Sequence, residues 1–245
     1  MNIFSILLFN KIAKKLLPIL AILTPIVNIV ALYYALVISP PDYQQGELVR
    51  IMYIHVPSAW ISLMIYSFIA FCSILVLIRK IKIAYLLAVA SSYIGTVFSA
   101  ITLVTGSLWG RPIWGVWWVW DSRLTSMLIL FFIYISYIIV VHTNSNIVRS
   151  EKPASVLAIL GFINVPIVKF SVDIWNSLHQ PSTIFRSGGV AIHNTMLIPL
   201  ILMAVSFLLL FLLLLMYKTY SLILEARISN KLQYDICGNG CMREM

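Results

Sequence analysis

Long apolar runs separated by short polar connectors dominate the chain. Six runs, near residues 16–38, 56–78, 83–105, 124–142, 154–172 and 195–217, are long enough to cross a hydrocarbon core. Such a core is about 30 Å thick and takes roughly 20 residues of helix. The runs are apolar on every side, without the in–out alternation of barrel strands. A spanning helix also satisfies its own backbone hydrogen bonds, as lipid demands. The expected fold is an all-α integral membrane protein, with six transmembrane helices in a single domain over residues 1–245. Pro166 and Lys169 interrupt the fifth run and make it the weakest. Phe4, Leu7 and Leu8, followed by Lys11, Lys14 and Lys15, read as a short interfacial helix. Residues 222–245 read as a polar, partly disordered tail. The first ten residues lack a charged n-region and a cleavage site, so no signal peptide is expected.

Composition narrows the class. Apolar residues make up 61% and charged residues 10%, against about 25% charged in a soluble domain. Too few polar side chains exist to cover a water-soluble enzyme. The net charge of +9 changes the picture only through its placement. Lys11, Lys14, Lys15, Arg79, Lys80, Lys82, Arg149, Lys152, Lys218, Arg227, Lys231 and Arg243 fall on one side of the expected membrane, and Arg50, Arg111, Arg123 and Arg186 on the other. Twelve against four places both termini inside, with the 1–2, 3–4 and 5–6 connectors facing outward. The charge is therefore topological and implies no nucleic acid.

The chemistry concentrates on the outward side. The connector at 106–123 contains Trp109, Gly110, Arg111, Pro112, Trp114, Gly115, Trp117, Trp118, Trp120, Asp121 and Arg123, so five of the seven tryptophans lie within twelve residues. An aromatic belt of lipid-anchoring residues is the plain alternative, but Trp60 and Trp175 also fall on this side and none falls on the other. If a helix starts at Pro112, Trp114, Trp117, Trp118 and Asp121 share one face. That face is a platform for a large planar ligand with a polar edge. Arg111 and Arg123 suit carboxylates at that edge, or else lipid headgroups. Asp121 reads as an orienting group, not a catalytic one. His55 and His179 flank the platform from distant connectors. Neutral imidazole is a common metal ligand, and haem iron takes axial histidine. His193 reads as structural, and His142 belongs to the other side.

Absences matter too. No Cys-x-x-Cys-His occurs, so a c-type cytochrome is excluded. Cys72 lies in an apolar run. Cys237 and Cys241 sit in the tail, as a chance pair or a weak redox site. No P-loop occurs, so any ATP-driven step needs a partner. A b-type quinol-oxidising subunit would hold haem between histidines inside the spans, whereas these lie at span ends. A solute or haem permease would need an intramembrane polar track, and Lys169 and Asp173 are close enough in sequence to pair with each other.

The 109–121 segment resembles the tryptophan-rich "WWD" signature of haem-handling proteins. Asp42-Tyr-Gln-Gln-Gly46, Tyr53-Ile-His55-Val-Pro57, Val104-Thr-Gly-Ser107 and Ser171-Val-Asp-Ile-Trp-Asn-Ser-Leu-His179-Gln180 extend the likeness to the haem exporter protein C family of cytochrome c maturation. The resemblance implies that His55 and His179 are axial ligands of haem b. It also implies that Trp114, Trp117, Trp118, Trp120 and Asp121, with Trp109, Arg111 and Arg123 beside them, make the haem-contacting loop. It implies an outer-face site in the inner membrane of a Gram-negative-type bacterium or a mitochondrion, beside ABC transporter proteins A and B and a small single-span protein D. The haem chaperone, protein E, would receive the haem through its own histidine, and the ATPase would release it. The stretch from Gln180 to Ala191 and the tail match less well and carry no role.

Overall fold

The computed structural model describes residues 5–143, 150–175, 177–179 and 192–241, with side chains excepted over 229–241. Helix α1 (Ile6–Tyr33) begins where Ser5 Oγ accepts the Leu8 N–H at 3.2 Å, and it ends in a π turn, Tyr34–Ile38. A 3-10 turn, Glu47–Ile51, runs directly into α2 (Met52–Arg79). Lys80, in the left-handed region at φ 50°, turns the chain into α3 (Lys82–Trp114). Then come α4 (Ser122–His142), α5 (Glu151–Gly161), α6 (Asn164–Ile174) and α7 (Asn194–Cys241). Among the described residues there is no strand, only an isolated bridge between Asp42 and Gly46. Six helical spans are long and apolar enough to cross a membrane, with α5 and α6 together forming the fifth. The protein is a multi-pass, all-α membrane protein.

Four details differ from the sequence reading. The stretch carrying Leu7, Leu8 and Lys11 is the first part of α1 itself, not a separate interfacial helix. Helix α3 continues past residue 105 to Trp114. The break in the fifth span falls at Phe162–Ile163, upstream of Pro166. A proline ring clashes with the carbonyl four residues earlier and offers no N–H to it, and for Pro166 that carbonyl belongs to Phe162. The tail is helical as far as Cys241, consistent with strong helix formers such as Leu222, Leu224, Glu225 and Ala226. The side chains of Cys237 and Cys241 lie outside the described residues. Cys72 is a buried free thiol.

Helices α2 and α3 lie side by side, α4 packs on α3, α5 on α2 and α4, and α6 on α4; α7 packs against α1, α2 and α3. The main core runs between α2, α3, α4 and α5 around Tyr66, Ile69, Ala88, Leu130, Tyr134 and Tyr137. In lipid, close approach needs small residues. Gly95 supplies one: a Cβ there would lie 2.3 Å from the Tyr134 ring. Tyr134 in turn packs edge-on to Tyr66 at 5.0 Å and donates its hydroxyl proton to the Ser62 carbonyl at 2.6 Å. Because the spans alternate in direction, the start of α2, the α3–α4 connector and the end of α6 meet at one end of the bundle. Arg79, Lys80 and Lys82 mark the other end.

Gly95→Ala is expected to destabilise the bundle by about 1–3 kcal/mol, the usual range for overpacking. Thermal unfolding of the detergent-solubilised protein should show a lowered Tm. An unchanged Tm would show that Tyr134 has room to move.

Candidate functional site

Trp109, Arg111, Pro112 and Trp114 occupy the last turns of α3. Gly115 ends that helix. Its φ of 78° is left-handed, its N–H donates to the Arg111 carbonyl at 3.0 Å, and the Arg111 guanidinium donates back to the Gly115 carbonyl at 2.6 Å. Glycine favours this conformation because it lacks a Cβ. The expected helix beginning at Pro112 is therefore absent: Pro112 closes α3, and residues 115–121 are non-helical. Ser107 Oγ donates to the Trp117 carbonyl at 2.7 Å and folds this connector back along α3. Trp118 and Trp120 meet edge to face at 5.5 Å.

Asp121 N-caps α4. One carboxylate oxygen accepts the Leu124 N–H at 2.7 Å, while the other accepts Ser177 Oγ–H at 2.6 Å and His179 Nδ1–H at 2.9 Å. The His179 backbone N–H donates to Ser177 Oγ at 3.1 Å. Burial opposes the charge on Asp121, but hydrogen bonds from Ser177, Leu124 and His179 outweigh it and hold the carboxyl below its ordinary range. Burial pushes His179 down, against the pull of Asp121. The imidazole is thereby favoured in its neutral form. With Nδ1–H committed to the carboxylate, Nε2 carries a lone pair, the form that ligates metals.

His55 stands in the first turns of α2. Its Nδ1 lies 3.1 Å from Thr105 Oγ1, and its ring meets Trp109 edge-on at 5.8 Å. Trp114 meets His179 in the same manner at 5.0 Å. A cavity of about 350 Å3 opens between these groups, lined among others by His55, Trp109, Trp114, Trp118, Arg123 and His179. The Trp118 indole N–H is buried and has no hydrogen-bond partner among the described residues. Arg123 donates to Ser171 Oγ at 3.4 Å and to the Lys169 carbonyl at 3.5 Å. Trp109 donates its indole N–H to Gln45 at 2.9 Å, which ties the α1–α2 loop to the cavity wall.

Most of the remaining sequence candidates sit outside the cavity wall. Trp117 is 56% and Trp120 75% exposed. The Arg111 guanidinium lies 5.9 Å over the Trp117 ring, outside the cavity lining. Asp121 stands behind His179 and not in the wall. Trp60 joins the lining, as do Lys169 and Asp173, whereas Trp175 does not. His193 contacts Thr195 at the start of α7, and His142 contacts Tyr93 at the opposite end. Arg149, Arg186, Arg243 and the stretch from Gln180 to Ala191 fall outside the described residues. Thr105, Gly106, Gln45 and Ser177 escaped notice as individual site residues. They lay inside the segments that carried the resemblance, but no chemistry singled them out there.

A family model described as "Heme exporter protein C" matches residues 3–233. The chain is 44% identical to heme exporter protein C of Bradyrhizobium diazoefficiens, over 83% of this chain and 77% of that one. It is 41% identical to heme exporter protein C of Haemophilus influenzae, over 82% of each. A "putative cytochrome c biosynthesis ccmC-like mitochondrial protein" of Marchantia polymorpha is 47% identical, over 72% of this chain and 75% of its own.

Asp121→Ala removes a helix cap, at a cost of about 1 kcal/mol, and releases Ser177 and His179 together. Hydrogen exchange should accelerate at the amides of 123–125 and of 177–179. Asp121→Asn, an equally good cap, should keep Leu124 protected. Acceleration at only one of the two segments in Asp121→Ala would show that they are not latched to each other.

Proposed function

Because the chain belongs to the haem exporter protein C family, we propose that it holds haem b in this cavity and hands it to a haem chaperone, protein E, in cytochrome c maturation. Family membership gives the coarser statement, a part in haem handling for cytochrome c biogenesis. The observation that supports the finer one is the pairing of His55 and His179 at a single aromatic cavity. They arrive from α2 and from beyond α6, and each has its Nδ1 engaged by the protein.

The residues fit haem as cargo. Among the described residues no group of three or more His, Cys, Asp or Glu could hold a bare metal ion. A metal held by two imidazoles needs further donors, and a porphyrin brings its own. Trp109, Trp114 and Trp118 suit its apolar faces, where burial contributes about 25 cal/mol per Å2. Arg123 and the Trp118 N–H, which has no partner among the described residues, suit its carboxylates. Bound haem would supply the iron that the two Nε2 lone pairs are set to meet. Trp117 and Trp120, exposed next to Trp118, are left for the chaperone.

The basic residues favour a site on the outer face of the inner membrane, with both termini cytoplasmic. The same argument serves a mitochondrial inner membrane. With no P-loop in the chain, ATP-driven release falls to ABC transporter proteins A and B, with the single-span protein D alongside.

His55→Ala and His179→Ala should each abolish the low-spin bis-histidine absorption spectrum of the purified, haem-loaded protein. A bis-histidine spectrum retained in both variants would contradict the assignment. Trp118→Ala should still bind haem but give less haem-loaded chaperone in co-purification. Undiminished recovery would remove Trp118 from the transfer step.

A further inference from the structure

We propose that Thr105 is a positioning residue that presets His55 for iron, by confining the imidazole proton to Nδ1 and presenting Nε2 to the cavity. The proposal rests on the haem reading above. A threonine hydroxyl has one hydrogen to donate. In Thr105 that hydrogen goes along α3 to the Ile101 carbonyl at 2.6 Å, with the Thr102 carbonyl at 3.3 Å as a second acceptor. What Thr105 Oγ1 offers across the interhelical gap is therefore a lone pair. At 3.1 Å from it, His55 Nδ1 has to be the donor. Neutral imidazole carries a single N–H, so Nε2 is left with its lone pair.

The residue after Thr105 completes the seat. A Cβ on Gly106 would lie 2.9 Å from His55 Cε1, the carbon between the two ring nitrogens. Only a residue without a side chain lets the ring lie this close to α3. Thr105 and Gly106 thus act in succession, one fixing the proton and the other fixing the depth of the ring. Both belong to α3, which packs along α2, so the ring's orientation is set by helix packing and not by a loop. His179 reaches the same tautomer through the Asp121 carboxylate. A neutral hydroxyl serves one ligand and a carboxylate serves the other.

The test uses the full-length protein in detergent with nitrogen-15 in its histidines. In the haem-free protein, long-range proton–nitrogen correlation reads the tautomer of His55, assigned by loss of its signals in His55→Gln. Wild type and Thr105→Ser should show Nδ1–H. Thr105→Val, nearly the same shape without the acceptor, should shift wholly or partly to Nε2–H. In the haem-loaded protein Thr105→Val should lower haem affinity about 10-fold, as loss of a histidine's hydrogen-bond partner commonly does. It should also raise the high-spin fraction, with Thr105→Ser restoring both. An Nε2–H tautomer in wild type, or an unmoved tautomer in Thr105→Val, overturns the proposal. So does a moved tautomer with unchanged affinity and spin state. The tautomer is read without haem. A wild-type protein that shows it but never gives a bis-histidine spectrum would instead contradict the haem reading.

Discussion

The carboxylate of Asp121 is shared between two parts of the chain that are far apart in sequence. Through one oxygen it terminates α4, and through the other it gathers Ser177 and His179. A helix N-terminus has unpaired N–H groups that attract an anion, which makes this a favourable place for a buried charge. Hydrogen bonds from both sides then keep that charge in place despite burial. Packing of α6 on α4 and the Arg123–Ser171 contact bring the chain to this end of the bundle, and Asp121 then fixes the His179 ring itself.

His55 is held by different means. It projects from a spanning helix, and its neighbours Thr105, Gly106 and Trp109 belong to the adjacent one. The cavity therefore has one wall built by helix packing and another built by a latch between a helix start and a connector. If the cavity takes up and surrenders haem as proposed, this division has a physical use. The helical wall is set by packing between two spans, while the latched wall is held by a few hydrogen bonds. The position of both histidines near the ends of spans also separates the site from that of a quinol-oxidising cytochrome, whose histidines would face each other within the helices.

The spans were legible in the sequence because lipid imposes long apolar runs, and the shared end of the bundle was legible from their alternation. Helix boundaries were harder. Pro166 was visible, but the break it causes lies four residues earlier, at the carbonyl it cannot bond. Pro112 looked like a helix start because proline suits that position; in fact α3 ran on to meet it, and Gly115 was the stronger signal. The concentration of tryptophans drew attention to a segment that borders the cavity, but not to which rings turn inward. With the helix ending at Trp114, helical spacing no longer applied to Trp117 and Trp120, and both are exposed. Thr105 was invisible as a site residue because its role exists only across the gap between two helices.

The proposed function requires His55 and His179 to address one haem from two sides of one cavity. A density map of the haem-loaded protein tests it most directly. The expected result is a porphyrin between the two imidazoles, against Trp114 and Trp118, with the iron bonded to Nε2 of each histidine. A porphyrin lodged midway along the helices, or held by neither histidine, would contradict it.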